Sequence, residues 1–191
     1  MATQYLPVTW RQYLSLAQKL AAAVLSGPSP VEIIVAISRG GLTLGHLLSD
    51  HLRLPIATIT IQSYSDIQTH GEVTLTEKLH TPIRGKHVLL VDDVSDSGKT
   101  FARAVRYLKK LQPKEISTLA MFYKPHSAFR PDYYARHTNR WILFPYEPTE
   151  MILLLTKQLT GEGKSKAAIQ RFLERLGYAN DQIAFVRKYY L

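Results

Sequence analysis

The amino-acid sequence predicts an α/β protein in which a parallel sheet is flanked by helices on both faces. Three apolar segments rich in β-branched residues support this fold class, namely Val31 to Ile37, His87 to Val91 and Ile116 to Tyr123. A strand that is apolar almost throughout is typical of a parallel sheet, because both of its faces are buried. The first two segments each lead through a loop into a segment with helical periodicity, which is the alternation expected of a parallel sheet.

The remaining elements follow from hydrophobic periodicity and from the residues that interrupt it. Apolar residues from Trp10 to Leu25 recur at helical spacing, and Gly27-Pro28 ends this helix. The stretch from Ser63 to Pro82 is polar with weak periodicity, so we expect either a mobile loop or a short hairpin there. The other predicted elements are a helix that follows Gly41 and runs to about His51, a strand from Ile56 to Ile61 and a helix from Thr100 to Leu111.

Composition and charge limit the kinds of protein that this chain represents. Its 191 residues include no cysteine, which excludes disulfides, zinc-thiolate sites and thiol nucleophiles and fits a reducing compartment. The early apolar stretch, Leu20 to Leu25, is too short for a membrane span and lacks the flanks of a secretion signal, so we expect a cytoplasmic protein. A formal charge of +9 attracts anions, which leaves nucleic acid, acidic lipid and polyphosphate metabolites open as partners.

The loop after the strand His87 to Val91 is the most informative part of the sequence. Ser95 to Thr100 offers a glycine, hydroxyl groups and backbone amides at a helix N-terminus, an arrangement that binds phosphate. Asp92 and Asp93 would repel that phosphate, so their targets should be sugar hydroxyls or a divalent cation. A phosphate, a diol and a metal together indicate a ribose phosphate as the ligand.

The run Gly98-Lys99-Thr100 also matches the last residues of the P-loop found in nucleoside triphosphatases. That motif requires a glycine five positions before Gly98, where this chain has Asp93. The loop therefore lacks the first turn residue of a P-loop and places a carboxylate where the triphosphate would lie. A Walker-type ATPase is disfavoured on this ground, whereas an ordinary acidic turn with a helix cap stays open.

The run from Val91 to Thr100 resembles the phosphoribosyl pyrophosphate motif of type I phosphoribosyltransferases, which implies their fold with its small hood. By this resemblance Asp92 and Asp93 contact the ribose hydroxyls, and Asp93 also helps to hold Mg²⁺ as the cofactor. Asp96 stands where the family places an acid/base near the purine N7. The residues implied to bind the ribose and the 5-phosphate are Asp92, Asp93, Ser95, Asp96, Ser97, Gly98, Lys99 and Thr100.

A second short loop, Ser38-Arg39-Gly40-Gly41, resembles the pyrophosphate-binding loop of the same family. Glycines let backbone amides approach an anion closely, and Arg39 is able to pair with that anion through two hydrogen bonds. The resemblance also implies a cis peptide bond between Ser38 and Arg39. Without the resemblance, a glycine turn with a surface arginine is an equally good interpretation of this loop.

Lys124 with its neighbours, and the run from Trp141 to Glu147, resemble the 6-oxopurine branch of the family, which contains xanthine-guanine and hypoxanthine enzymes. The resemblance implies that Lys124 hydrogen-bonds the purine O6 and that Trp141 stacks on the base. Ile142 and Glu147 belong to the segment whose backbone is implied to read the other edge of the base. The implied activity is transfer of 5-phosphoribosyl to guanine, xanthine or hypoxanthine in purine salvage, with release of pyrophosphate. A lone tryptophan is also commonly a core residue.

The resemblance covers roughly Val31 to Pro148, and the tail differs from it. We expect a phosphoribosyltransferase domain, including the hood, at residues 1–150 and a helical C-terminal extension at residues 151–191. The segments with helical periodicity in this extension are Met151 to Leu159, Lys166 to Leu176 and Asp181 to Tyr190. We further expect the residues between Ser63 and Pro82 to close over the reacting centre and exclude water.

The basic extension leaves a second interpretation open, a non-catalytic regulator that senses phosphoribosyl pyrophosphate and binds nucleic acid. No helix-turn-helix with a convincing recognition helix is found, which makes nucleic acid an unexpected partner. A third interpretation keeps catalysis but changes the base that accepts the sugar. By resemblance, the substrates are phosphoribosyl pyrophosphate and a purine base, no membrane is involved, and the protein is a homodimer or homotetramer.

Overall fold

The computed structural model describes residues 4–63 and 73–191, and for Ser63 only the backbone. Internal contacts divide the chain into a larger unit, Leu14–Asn139, and a smaller unit, made of the residues up to Tyr13 together with Arg140–Leu191. In chain order the elements are β1 (Tyr5–Pro7), α1 (Trp10–Leu25), β2 (Ile33–Ser38), α2 (Gly40–Leu52), β3 (Ile56–Ser63), β4 (Val73–Glu77), β5 (His87–Ser95), α3 (Lys99–Lys109), β6 (Glu115–Tyr123), β7 (Tyr133–His137), β8 (Trp141–Leu143), α4 (Pro148–Gly161), α5 (Lys166–Arg175) and α6 (Asn180–Tyr190).

The larger unit is built on a six-stranded sheet in the order β4-β3-β2-β5-β6-β7. Strands β3, β2, β5, β6 and β7 run parallel to one another, and the edge strand β4 is antiparallel to β3. The central strand β2 is buried from Ile33 to Ile37. The predicted fold class, a parallel sheet whose central strands are apolar because both faces are covered, is confirmed.

Helices cover both faces of this sheet. Alternate residues of a strand point to opposite faces, and Ile33 and Val35 of β2 belong to one apolar cluster with Phe101 of α3. On the other face, a Cβ added to Gly45 of α2 would lie 2.8 Å from the Cβ of Ala36 in β2. Glycine at position 45 therefore lets α2 lie close against the sheet.

Strand β5 continues to Ser95, beyond the predicted end at Val91. Its pairing with β6 continues as well, with Val94 opposite Phe122 and Ser95 opposite Tyr123. The sequence predicts a loop from Asp92 onward, because the run of apolar residues that marks the strand ends at Val91. Pairing with a strand from elsewhere in the chain, which local pattern does not report, extends β5.

The segment predicted to be a loop or a short hairpin contains a hairpin strand where the structure describes it. Strand β4 pairs with β3, and the Thr60 hydroxyl donates to Glu77 Oε2 at 2.9 Å. Further on, the Leu79 amide donates to the Tyr107 hydroxyl at 2.9 Å, which attaches the segment to α3. Residues 64–72 lie outside the described part of the chain, and the predicted closure of this segment over a reacting centre stays a prediction.

The smaller unit contains a two-stranded parallel ladder, β1 with β8, and the helices α4, α5 and α6. The three helices match the three segments predicted from helical periodicity in the tail. Apolar residues from all three helices form one cluster that also includes Leu143 of β8. Apolar packing thus continues across residue 150, and the boundary between a catalytic domain and an extension stays a prediction. No helix among residues 4–63 and 73–191 is long and apolar enough to cross a membrane.

Candidate active site

The end of strand β5 and the start of helix α3 position the residues of the predicted ribose-phosphate loop. Asp92 is buried and Asp93 is half-buried within the strand, whereas Asp96 and Ser97 are exposed in the turn that follows. Gly98 has a φ of +82° and immediately precedes α3, which begins at Lys99. The turn therefore leads directly to the helix N-terminus, whose first-turn amides favour an anion.

Asp92 is an unusual carboxylate because it is only 7% exposed. It accepts hydrogen bonds from the Asp93 amide, at 3.0 Å, and from the backbone of Gly41. Burial, and after it the charge of Asp93, raise the pKa of the Asp92 carboxyl well above its ordinary value, although the two amides oppose this rise. A cation or hydroxyl donors at this point would favour the ionised form, so the pair of carboxylates fits the metal or diol that the sequence predicts.

The predicted pyrophosphate loop lies directly beside these carboxylates. A Cβ added to Gly40 would lie 2.5 Å from the Asp93 carboxylate, and one added to Gly41 would collide with the carbonyl oxygen of Val91. Close approach of the backbone requires glycine at position 41, whereas a side chain at position 40 would displace the Asp93 carboxylate. The peptide bond between Ser38 and Arg39 is cis, as the family resemblance implies, and the Arg39 side chain is exposed beside the start of α2.

Ser95 lies at the start of the predicted phosphate loop, and its side chain is buried. It is 1% exposed, and its hydroxyl donates to the Phe129 carbonyl at 2.7 Å and contacts the Ser127 hydroxyl at 3.0 Å. The hydroxyl is thus engaged in holding the segment after β6 against the end of β5. The predicted contribution of Ser95 to the ribose-phosphate site stays a prediction.

The N-terminus of α3 is fixed by the same segment. A Cβ added to Gly98 would lie 2.5 Å from the Phe129 amide nitrogen, and the Phe129 ring stacks on Phe101 with the ring centroids 5.3 Å apart. The Ser97 hydroxyl accepts a long hydrogen bond, 3.4 Å, from the Lys99 amide. Positive φ and close packing both explain why glycine precedes this helix.

Lys124 follows the end of β6, next to the end of β5, and is only 7% exposed. Its amide donates to the Ser95 carbonyl at 3.0 Å, which continues the contact between the two strand ends. Burial lowers the pKa of the Lys124 ammonium, and the charge of Asp96 partly opposes this. A buried ammonium near the phosphate loop is chemically suited to donate to a carbonyl oxygen of a bound base.

His126 contacts a residue of the predicted site, and the sequence does not indicate this contact. Its Nε2 lies 3.2 Å from Asp96 Oδ1, and both side chains are largely exposed. The residue is two positions after Lys124, but no periodicity or spacing in the sequence indicates that it reaches Asp96. The one signal in the sequence is Pro125, which favours a turn directly after β6.

The three other residues predicted to contact the base belong to the smaller unit. Trp141 begins β8 with its side chain 49% exposed, and its amide donates to the Gln4 carbonyl at 2.8 Å. Ile142 is buried, whereas Glu147 directly precedes α4 and its charge adds to the effect of burial in raising the pKa of Tyr178. The base-contacting roles of Trp141, Ile142 and Glu147 stay predictions.

Two adjacent carboxylates, a glycine turn at a helix N-terminus and a buried lysine lie close together in this unit, and these groups are chemically suited to a phosphorylated sugar. The chain matches the phosphoribosyl transferase domain family over residues 9–150. The protein therefore belongs to the phosphoribosyltransferase family, and it is an enzyme of that class with the type I fold.

Individual proteins that are similar to this chain in sequence or structure are named as phosphoribosyltransferases. The chain is 30% identical over 154 residues to xanthine-guanine phosphoribosyltransferase of Gluconobacter oxydans, covering 78% of this chain and 88% of that protein. Among solved structures, purine phosphoribosyltransferase from Pyrococcus horikoshii is 32% identical with a TM-score of 0.69, covering 76% of this chain and 95% of that one. The Helicobacter pylori xanthine-guanine-hypoxanthine phosphoribosyltransferase shares the fold at 23% identity and a TM-score of 0.65, covering 75% of this chain and 94% of that one.

Proposed function

We propose that the protein transfers the 5-phosphoribosyl group of phosphoribosyl pyrophosphate to a 6-oxopurine (guanine, xanthine or hypoxanthine) and releases pyrophosphate, a reaction of purine salvage. The observation that carries this proposal is the position of Lys124, a buried lysine whose backbone amide donates to the Ser95 carbonyl beside the phosphate loop. Two relatives, those from Gluconobacter oxydans and Pyrococcus horikoshii, are named as purine enzymes. This agrees with a purine as the acceptor.

The sugar phosphate is proposed to bind across the ends of β2 and β5. Asp92 and Asp93 accept hydrogen bonds from the ribose hydroxyls, and the turn from Asp96 to Thr100 surrounds the 5-phosphate with amide and hydroxyl donors. Arg39 and the amides at the start of α2 face the pyrophosphate. The close approach of Gly40 to Asp93 supports this division, because it brings the two loops together.

Mg²⁺ is the proposed cofactor, and Asp93 with Asp92 would hold it. Among the described residues, no group of three or more histidine, aspartate or glutamate side chains is arranged to bind a metal, so oxygen atoms of the substrate would complete the coordination. The raised pKa of Asp92 fits a cation site, since a positive charge would offset the repulsion between the two carboxylates. When bound, the ion would neutralise charge on the departing pyrophosphate.

In the proposed reaction, a ring nitrogen of the base forms a bond to C1′ while the C1′–oxygen bond breaks and its electron pair leaves with pyrophosphate. As this bond forms, the five-membered ring of the base loses the proton of its other nitrogen, and Asp96 accepts that proton. Lys124 donates to the purine O6 and fixes the orientation of the ring. An ammonium is a donor without acceptor capacity, so it matches a 6-oxo group and opposes the amino group of adenine.

The test is pyrophosphate release from phosphoribosyl pyrophosphate and Mg²⁺ with guanine, xanthine, hypoxanthine, adenine and uracil, each assayed separately. We expect turnover with at least one 6-oxopurine and a fall of about 100-fold or more in kcat for Asp96→Ala, as is typical for loss of an acid/base. Lys124→Met should lower kcat/KM for the 6-oxopurine by about 10- to 100-fold, as expected for loss of a charged hydrogen bond. The matched control is Lys110→Met, an exposed lysine at the other end of α3, which should keep wild-type kinetics.

Turnover of adenine or uracil in preference to every 6-oxopurine would contradict the proposed acceptor. If no base is turned over while phosphoribosyl pyrophosphate still binds, the proposed reaction fails and a sensor-regulator becomes the better interpretation. A catalytic domain at residues 1–150, contacts from Trp141, Ile142 and Glu147 to the base, a cytoplasmic location and a homodimer or homotetramer complete the proposal.

A further inference from the structure

We propose that His126 is a positioning residue for Asp96, which holds the carboxylate in place for proton transfer at the purine ring. The imidazole Nε2 and Asp96 Oδ1 are 3.2 Å apart. A carboxylate only accepts hydrogen bonds, so the ring nitrogen carries the proton and donates it. This inference rests on the proposed function, in which Asp96 is the acid/base, and it adds a residue to that site.

The main chain brings the two side chains together. Ser95 and Ser97, the two neighbours of Asp96, accept hydrogen bonds through their carbonyls from the amides of Lys124, at 3.0 Å, and Ala128, at 3.1 Å. The histidine lies midway between these two donors in sequence, just as the aspartate lies midway between the two acceptors. Backbone hydrogen bonds on both sides of each residue therefore place His126 opposite Asp96.

A tight turn fixes the direction of the histidine. The Ser127 amide donates to the Lys124 carbonyl at 2.8 Å, which closes a four-residue turn with Pro125 at its second position. Proline presets the backbone angle that this position needs. His126 occupies the third position, and the Ser127 hydroxyl that follows is 3.0 Å from the buried hydroxyl of Ser95. Both ends of the turn are thus anchored to β5.

The consequence of this contact should appear in catalysis and not in stability. The side chains of His126 and Asp96 are 64% and 67% exposed, and ion pairs or hydrogen bonds this exposed add little to the free energy of unfolding. An exposed carboxylate without a partner samples several rotamers, and only a fraction of these point at the purine nitrogen that loses its proton. Asp96 also interacts with the charge of Lys124, and the hydrogen bond from the imidazole adds a directional restraint.

The experiment compares His126→Leu with His126→Gln in the full-length protein, using the 6-oxopurine with the highest turnover. The Gln side-chain amide keeps a donor at a similar reach, whereas Leu removes it. We expect His126→Leu to lower kcat by about tenfold, with little change in KM for phosphoribosyl pyrophosphate, and His126→Gln to recover most of that loss. The control His51→Leu replaces an exposed histidine in α2 and should keep wild-type kcat.

A double-mutant cycle separates positioning from any other effect of the histidine. In an Asp96→Ala background, His126→Leu should cause no further loss, because the side chain that it positions is absent. A wild-type kcat in His126→Leu, a Gln variant as slow as the Leu variant, or an equal loss in both backgrounds would overturn the inference. These outcomes differ from failure of the proposed function, in which the wild-type protein itself turns over no 6-oxopurine.

Discussion

Replacing Gly98 by alanine should destabilise the protein through two separable effects. Gly98 has a φ of +82°, and a residue with a Cβ in this left-handed region costs about 1–2 kcal/mol. The new Cβ would also lie 2.5 Å from the Phe129 amide nitrogen and 2.8 Å from Ser127 Oγ. Overpacking of this kind costs about 1–3 kcal/mol. We therefore expect the free energy of unfolding to fall by about 2–5 kcal/mol.

Gly85 provides the matched control for this prediction. Its φ is +74°, and among the described residues no atom lies within 4 Å of a Cβ added there. Gly85→Ala should therefore show the cost of the backbone angle alone, about 1–2 kcal/mol. Urea unfolding of both variants, followed by circular dichroism, gives the difference. Equal losses in the two variants would refute the contribution of the Phe129 contact, and an unchanged stability of both would refute the whole reasoning.

The same pair of variants separates stability from ligand binding. Relief of the contact at position 98 requires movement of the turn that precedes α3, where the 5-phosphate is proposed to bind. Gly98→Ala should therefore raise KM for phosphoribosyl pyrophosphate at a temperature where the variant is still folded. Gly85→Ala should keep the wild-type KM. The Gly85 amide donates to the Gln112 carbonyl, in a turn outside the proposed 5-phosphate site. Steady-state pyrophosphate release measures both values.

Three further predictions concern single side chains. Ser95→Ala removes the buried donor to the Phe129 carbonyl and should lower the free energy of unfolding by about 1–3 kcal/mol. The control Ser97→Ala, in the exposed turn, should lower it by less than about 0.5 kcal/mol, and urea unfolding measures both variants. Ser165→Ala removes the side-chain cap of α5 and should cost about 1 kcal/mol in the same assay, and an unchanged stability would contradict the contribution of this cap. Burial lowers the pKa of Lys124 in the folded state, so the unfolded state binds more protons just below the ordinary lysine value of 10.5. The wild-type free energy of unfolding should therefore rise with pH in that window relative to Lys124→Met, and parallel pH profiles would contradict the effect of burial.

Much of the larger unit could be predicted from the sequence because its signals are local. The apolar runs of β2 and β5 mark strands that are buried on both faces, and each is followed by a glycine-containing turn and an amphipathic helix. Asp92, Asp93 and Gly98 stand out through residue type alone. The juxtaposition of the two aspartates with Gly40 and Gly41 also follows from the sequence, since the carboxyl ends of neighbouring parallel strands lie at one edge of a sheet.

The features that sequence reasoning missed depend on contacts between distant parts of the chain. The hydroxyl of Ser95 points inward because Phe129 and Ser127 lie beneath it, and nothing near position 95 in the sequence reports them. His126 reaches Asp96 through backbone hydrogen bonds between two segments that lie about thirty residues apart. The ladder between β1 and β8 joins Tyr5–Pro7 to Trp141–Leu143, which are far apart in the sequence, and both strands are too short to show a period.

The turn that follows β6 has a consequence for protein engineering. Most surface loops tolerate changes in length, because their ends are free to separate slightly and the added residues extend into solvent. Here the amides of Lys124 and Ala128 are attached to the carbonyls on either side of Asp96. Residues exchanged between these two positions keep the geometry only if their number is conserved. A graft intended to alter base preference therefore has to vary side chains at a fixed loop length.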